Sequence, residues 1–248
     1  MRKILATVMV AFATLFAAPV MAADIPEYPD IEIPEVDYDL GDSFYLRGSA
    51  ALNVHWAREV NHPDVCGSCG PFGTDSLGYG YSWGVGFGYE TGTGLRFDAT
   101  IDQLETRGLG ITKTGFGAPV DGKYSLMLRS TIALANVYYD FSLGDFGSYG
   151  GQGGAFAYVG AGAGLAWNHA EINAPVGNPV PTGGNVSAAA AIMAGIGYDM
   201  GSWVADVGYR GLYIAQINNS PTTTPGYYYN VDNNFIHELR GTVRYRFN

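Results

Sequence analysis

Residues 235–247 alternate strictly. Phe235, His237, Leu239, Gly241, Val243, Tyr245 and Phe247 form one set, and Ile236, Glu238, Arg240, Thr242, Arg244 and Arg246 form the other. Successive side chains of a strand point to opposite faces, so this stretch predicts a strand with one apolar and one charged face. A tilted strand of about 9–11 residues crosses a bilayer. Apolar outside and polar inside is the alternation of an outer-membrane barrel.

The pattern recurs along the chain. Residues 44–56 place Phe44, Leu46, Leu52, Val54 and Trp56 opposite Tyr45, Arg47, Asn53 and His55. Residues 79–90 set Tyr79, Tyr81, Trp83, Val85, Phe87 and Tyr89 against Gly80, Ser82, Gly84, Gly86, Gly88 and Glu90, so bulk faces one side and space the other. Residues 95–103 carry Arg96, Asp98, Thr100 and Asp102 on the polar face. Residues 123–141 form a fourth strand, where Leu126, Leu128, Ile132 and Leu134 share a face with Asn136, Tyr138 and Asp140; a bulge or a change of environment is expected there. Residues 154–168, 186–200 and 203–216 complete the set, with Asp199, Asp206 and Arg210 facing inward.

Eight strands are thus predicted. The connections after the second, fourth and sixth read as short turns, and those after the first, third, fifth and seventh as longer loops, residues 106–122 among them. Short turns at one end and long loops at the other, with an even strand number, fit a membrane barrel; a soluble sandwich has no reason to sort its loops so.

Composition supports this. The chain has 36 Gly, 18 Tyr and 12 Phe but only 15% charged residues, a poor mixture for helices, where each Gly costs about 1 kcal/mol relative to Ala. No stretch after the N-terminus reaches about 18 uninterrupted apolar residues, so no transmembrane helix is expected. Residues 1–22 begin with Arg2 and Lys3, continue apolar and end Val20-Met21-Ala22, which reads as a cleaved secretory signal. Its removal takes two positive charges and no negative ones, so the net charge of −10 becomes −12. An acidic exported chain is a poor partner for nucleic acid. Residues 23–42 hold Pro26, Pro29 and Pro34 among eight carboxylates and read as an extended acidic segment, either a spacer or a docking element. The barrel is expected over residues 43–248.

Several stretches resemble the small Gram-negative outer-membrane β-barrel superfamily, which includes the OmpA-type transmembrane domain and porin-family, opacity-type surface proteins. They are Phe44-Tyr45-Leu46-Arg47-Gly48, Ala135-Asn136-Val137-Tyr138-Tyr139-Asp140-Phe141, Tyr158-Val159-Gly160-Ala161-Gly162-Ala163-Gly164, Gly208-Tyr209-Arg210 and the run from Leu239 to Phe247. The resemblance implies insertion into outer-membrane lipid. It also implies periplasmic chaperones and the barrel-assembly machinery as partners during biogenesis, with Tyr245 and Phe247 in the assembly signal. Asn248 after the terminal aromatic departs from that signal, and anchoring through a peptidoglycan-binding domain is not expected.

The polar faces predict a lumen network of Arg47, Glu90, Arg96, Asp98, Asp102, Asp199, Asp206, Arg210, Glu238, Arg240, Arg244 and Arg246. An eight-stranded barrel has room only for its own side chains, so these charges are expected to pair into a plug, the alternative being a narrow gate or proton path. Cys66 and Cys69 lie close together in the first long loop. A disulfide staple is expected for an exported chain, with redox activity or zinc binding with His55 and His62 as alternatives. His55 and His237 lack a nucleophile at fixed spacing, so no catalysis is expected. No cofactor is expected. The function expected is a structural barrel that supports the envelope and presents loops to an extracellular ligand. The alternatives are a narrow solute pore, a ligand-binding barrel (haem, for example) and a lipid-modifying enzyme.

Overall fold

A computed structural model describes residues 43–61, 71–118, 120–144, 153–177, 180–220 and 228–247. The predicted signal sequence, the acidic segment and the Cys66/Cys69 pair lie outside the described residues. Ten strands follow in chain order: β1 Ser43–Ala57, β2 Glu59–Asn61, β3 Phe72–Gly73, β4 Gly78–Glu90, β5 Leu95–Lys113, β6 Gly122–Ser142, β7 Gly154–Asn173, β8 Gly183–Asp199, β9 Trp203–Asn218 and β10 Asn230–Phe247.

Eight of them form the barrel. Antiparallel neighbours run β1-β4-β5-β6-β7-β8-β9-β10, and β10 closes the ring by pairing with β1 from Phe44↔Phe247 to Ala57↔Asn234. The short strands β2 and β3 continue the wall beside β10, through Val60↔Val231 and Val60↔Phe72. Closure gives each barrel strand two neighbours, so its backbone groups are satisfied within the wall.

The outside carries an apolar band between two aromatic girdles. Phe44, Phe97, Tyr139, Phe141, Tyr198, Trp203, Tyr245 and Phe247 form the lower girdle, beside the short turns. Trp56, Tyr79, Trp167 and Phe235 form much of the upper one, beside the loops. Trp56 and Phe235 touch with ring centroids 5.7 Å apart.

The predicted strands are all present, but several run longer. β5 continues ten residues beyond the expected end at Gln103, through a bulge between Arg107 and Leu109 where Gly108 takes φ 97°. That backbone region favours glycine, and the extra residue resets the register. The expected loop 106–122 therefore shrinks to the residues between Lys113 and Gly122. It and the β7–β8 connection, residues 174–182, are both shorter than the connection from Ser142 to Gly154, so the predicted division into short turns and long loops does not hold at these places.

β6 carries no register break against β5 below that bulge, nor against β7. Its Leu126, Leu128, Ile132 and Leu134 all point into the barrel and are buried. A change of environment explains its parity. The upper lumen is an apolar core of Leu104, Leu109, Ile111, Leu126, Leu128, Ala166, Leu212, Ile214, Ile217 and Ile236. Where β5, β6 and β7 rise past the upper girdle their outer face turns polar, with Arg107, Arg129 and His169 exposed. A polar outer face with apolar packing inside is the ordinary arrangement of a sheet that has passed the hydrocarbon region.

Candidate functional site

The lower two thirds of the lumen hold the charges. Glycines on the inner faces of β4 and β7 make the room. A Cβ at Gly84 would stand 2.1 Å from Asp102 Oδ1, and one at Gly162 would stand 2.0 Å from Asn136 Oδ1.

Asp102, Arg210, Glu238 and Arg240 form a closed layer between the girdles. Arg210 donates to Asp102 at 2.7 Å and to both oxygens of Glu238. Arg240 donates to Asp102 at 2.8 Å and to Glu238 at 3.0 Å. Ser49 and Ser82 accept from Arg240 at 2.5 and 3.4 Å, and Ser82 donates to Glu238 at 3.0 Å. All four charged side chains are 4% exposed or less. Two guanidiniums against two carboxylates leave the layer neutral. That neutrality offsets the cost of taking the charges out of water.

Below it, Asp98 accepts from Arg47 at 2.8 Å, Tyr45 at 3.1 Å and Asn136 at 2.7 Å. Arg47 also donates to Tyr138 Oη at 2.7 Å. At the turn end, Arg96 donates to Asp140 at 2.9 Å and lies 4.4 Å from the Tyr138 ring centroid. Arg244 and Arg246 both bind Glu90, and Arg246 reaches Asp199 at 2.5 Å. Asp206 accepts from Tyr158 at 3.1 Å. Every predicted lumen charge therefore faces inward, and the structure brings them into three stacked clusters. Sequence reasoning missed Asp140 as the partner of Arg96. It also gave no role to the tyrosines Tyr45, Tyr138 and Tyr158: Tyr138 accepts from Arg47, while Tyr45 donates to Asp98 and Tyr158 to Asp206. The signal available was parity: Tyr45 alternates with Phe44 and Leu46 just as Arg47 does.

The upper lumen is different chemistry. His55 is fixed by Thr106 at 3.2 Å and Asn234 at 3.1 Å. Ser130, Asn168 and Ser187 form a second chain of hydrogen bonds at 2.7 and 2.9 Å. At the rim, the Lys113 ammonium lies 4.3 Å from the Tyr124 ring centroid, 4.7 Å from Tyr229 and 5.1 Å from Phe72, and donates to Tyr229 Oη at 2.9 Å. Burial pushes its pKa down to about 8. In the β5–β6 connection, Asp121 accepts from the backbone N–H groups of Phe116, Gly117 and Gly115 at 2.8, 3.0 and 3.1 Å, which holds its carboxyl below the ordinary range. His237, as predicted, faces outward; it hydrogen-bonds Tyr209 Oη at 2.6 Å. No group of three or more potential metal-ligating side chains occurs among the described residues.

A closed antiparallel ring, an apolar band between aromatic girdles and a charged interior together define the molecule. It is a membrane-spanning β-barrel of the outer-membrane type.

No family model matches the chain, and no curated protein matches it. Among solved structures it is similar to Neisserial surface protein A, at 22% identity and TM-score 0.48, over 84% of this chain and 99% of that one. It is also similar to the outer membrane protein OprG from Pseudomonas aeruginosa, at 14% identity and TM-score 0.42, over 83% and 96%. A third likeness is to Ail, the attachment invasion locus protein of Yersinia pestis, in complex with the heparin analogue sucrose octasulfate. It has 15% identity and TM-score 0.34, over 84% and 99%. The ring itself stands on its own strand pairing.

Proposed function

We propose that the protein is a closed, non-catalytic outer-membrane barrel that supports the envelope and offers its loop-bearing rim to extracellular ligands or surfaces. The layer of Asp102, Arg210, Glu238 and Arg240 carries this reading. Four side chains from β5, β9 and β10 meet across the lumen at hydrogen-bonding distance, so a hydrated solute would have to break buried ion pairs to pass. The aliphatic packing above adds a second barrier. The two histidines considered for catalysis are engaged elsewhere, His55 with Thr106 and Asn234 and His237 with Tyr209.

Planar-bilayer recording of the refolded protein tests closure. The expected record is a quiet baseline with no steady open level. Regular conductance steps of general-porin size would overturn the reading and favour a solute pore.

A further inference from the structure

The upper aromatic girdle has a gap. On the outer wall the girdle residue Tyr79 pairs with Arg107 and the girdle residue Trp167 pairs with Thr131, so β5 and β6 present polar side chains where their neighbours present aromatic ones. One row of pairs runs Tyr81↔Glu105↔Arg129↔His169, and Arg107 follows Glu105 on the same outer face of β5. Interfacial tryptophans mark headgroup depth, so these charges stand on the outer wall where lipid headgroups lie.

Their arrangement leaves cationic capacity open. Arg107 donates to Glu105 through Nε at 2.8 Å and Nη2 at 2.5 Å. Arg129 approaches the other Glu105 oxygen at 3.7 Å, beyond hydrogen-bonding distance. Two guanidiniums thus share one carboxylate, and their side chains remain 63% and 58% exposed. His169 adjoins Arg129; Glu171, across from Met127, and Asp75, bonded to Thr112, are further carboxylates on this wall. A charge on the outer wall gains most when an opposite charge meets it there, and paired guanidiniums match the oxygen geometry of a phosphate.

We propose that Arg107 and Arg129 bind the phosphate of an outer-leaflet lipid headgroup, seating that lipid against β5 and β6 in the gap of the aromatic girdle. Glu105 holds Arg107 in place in the absence of the phosphate and competes with it.

The test uses the folded chain in phosphatidylcholine nanodiscs, with diphosphorylated or dephosphorylated lipid A added and retention read by native mass spectrometry. The wild type should retain the diphosphorylated form preferentially. Arg107→Gln with Arg129→Gln should lower that retention about ten-fold or more, as expected for losing charge-assisted hydrogen bonds. Glu105→Gln should raise it, a direction that a purely structural role for the trio would not give. Should the double variant fail to fold, the Glu105→Gln result decides. Equal retention of both lipid forms, or no response to Glu105→Gln, overturns the proposal. So does equal displacement by millimolar inorganic phosphate, which would mark a site for free anions.

Discussion

Asp102 illustrates how this barrel carries charge in a buried space. Its two oxygens each take a different guanidinium, Oδ1 from Arg240 and Oδ2 from Arg210, and both arginines go on to Glu238. Removing one member leaves a buried charge short of its partner, which costs about 3–5 kcal/mol, whereas replacing a whole pair costs much less. Arg240→Met should therefore destabilise the barrel strongly, and adding Glu238→Gln should restore part of the loss. Urea unfolding in lipid vesicles reads both; a neutral Arg240→Met would contradict the plug. At this scale the sequence was informative, because parity alone assigned all twelve lumen charges to the inside. It gave no pairing, since partners such as Asp102 and Arg240 lie 138 positions apart and meet only once the ring closes.

At the scale of the element, β5 shows where alternation misleads. Up to Ile101 its outer residues suit lipid; beyond, Gln103, Glu105 and Arg107 face out and Leu104 and Leu109 face in. The period is still two, but the polarity of the faces has inverted. Gly108 and Gly110 then make the sequence read like a loop, although the strand runs on to Lys113. The same inversion accounts for the inward leucines of β6. Nothing in a single strand says at what height the membrane ends; that is fixed by neighbours such as Trp167.

The extension also delivers Lys113 into its ring of Phe72, Tyr124 and Tyr229. Three ring faces attract the ammonium, but burial opposes its charge and leaves a pKa of about 8, below the ordinary lysine value. With the folded value depressed, the folded form gives up its proton first on going alkaline, while the unfolded chain keeps its proton until about pH 10.4. The unfolded state binds more protons in that window, so stability should rise from about pH 8 toward pH 10. Burial raises the Tyr229 hydroxyl well above its ordinary range, so it stays protonated meanwhile. Thermal unfolding at a series of pH values should show the rise in the wild type and a flatter profile in Lys113→Met. Parallel profiles would remove Lys113 as the cause.

At the scale of the whole molecule, the seam between β1 and β10 turns a sheet into a barrel. It runs the full length of β1, from Phe44↔Phe247 to Ala57↔Asn234. An open edge in hydrocarbon would leave backbone groups unpaired at several kcal/mol each, so the ring should resist detergent as one cooperative unit. The folded protein is expected to migrate as a compact band in SDS without boiling and to shift on boiling. Gly241 gives a local test of the seam. It pairs with Ala50 across the seam and with Val207 on the other side, and a Cβ built on it meets nothing within 4 Å. Gly241→Ala should leave the shift intact. Gly241→Pro removes a backbone donor that the ladder needs, and neither neighbour can supply a substitute inside the membrane. Its unboiled compact band should weaken or vanish under conditions where the alanine variant keeps it. If proline and alanine behaved alike, or if the wild type migrated identically with and without boiling, the closed transmembrane ring would not describe this protein.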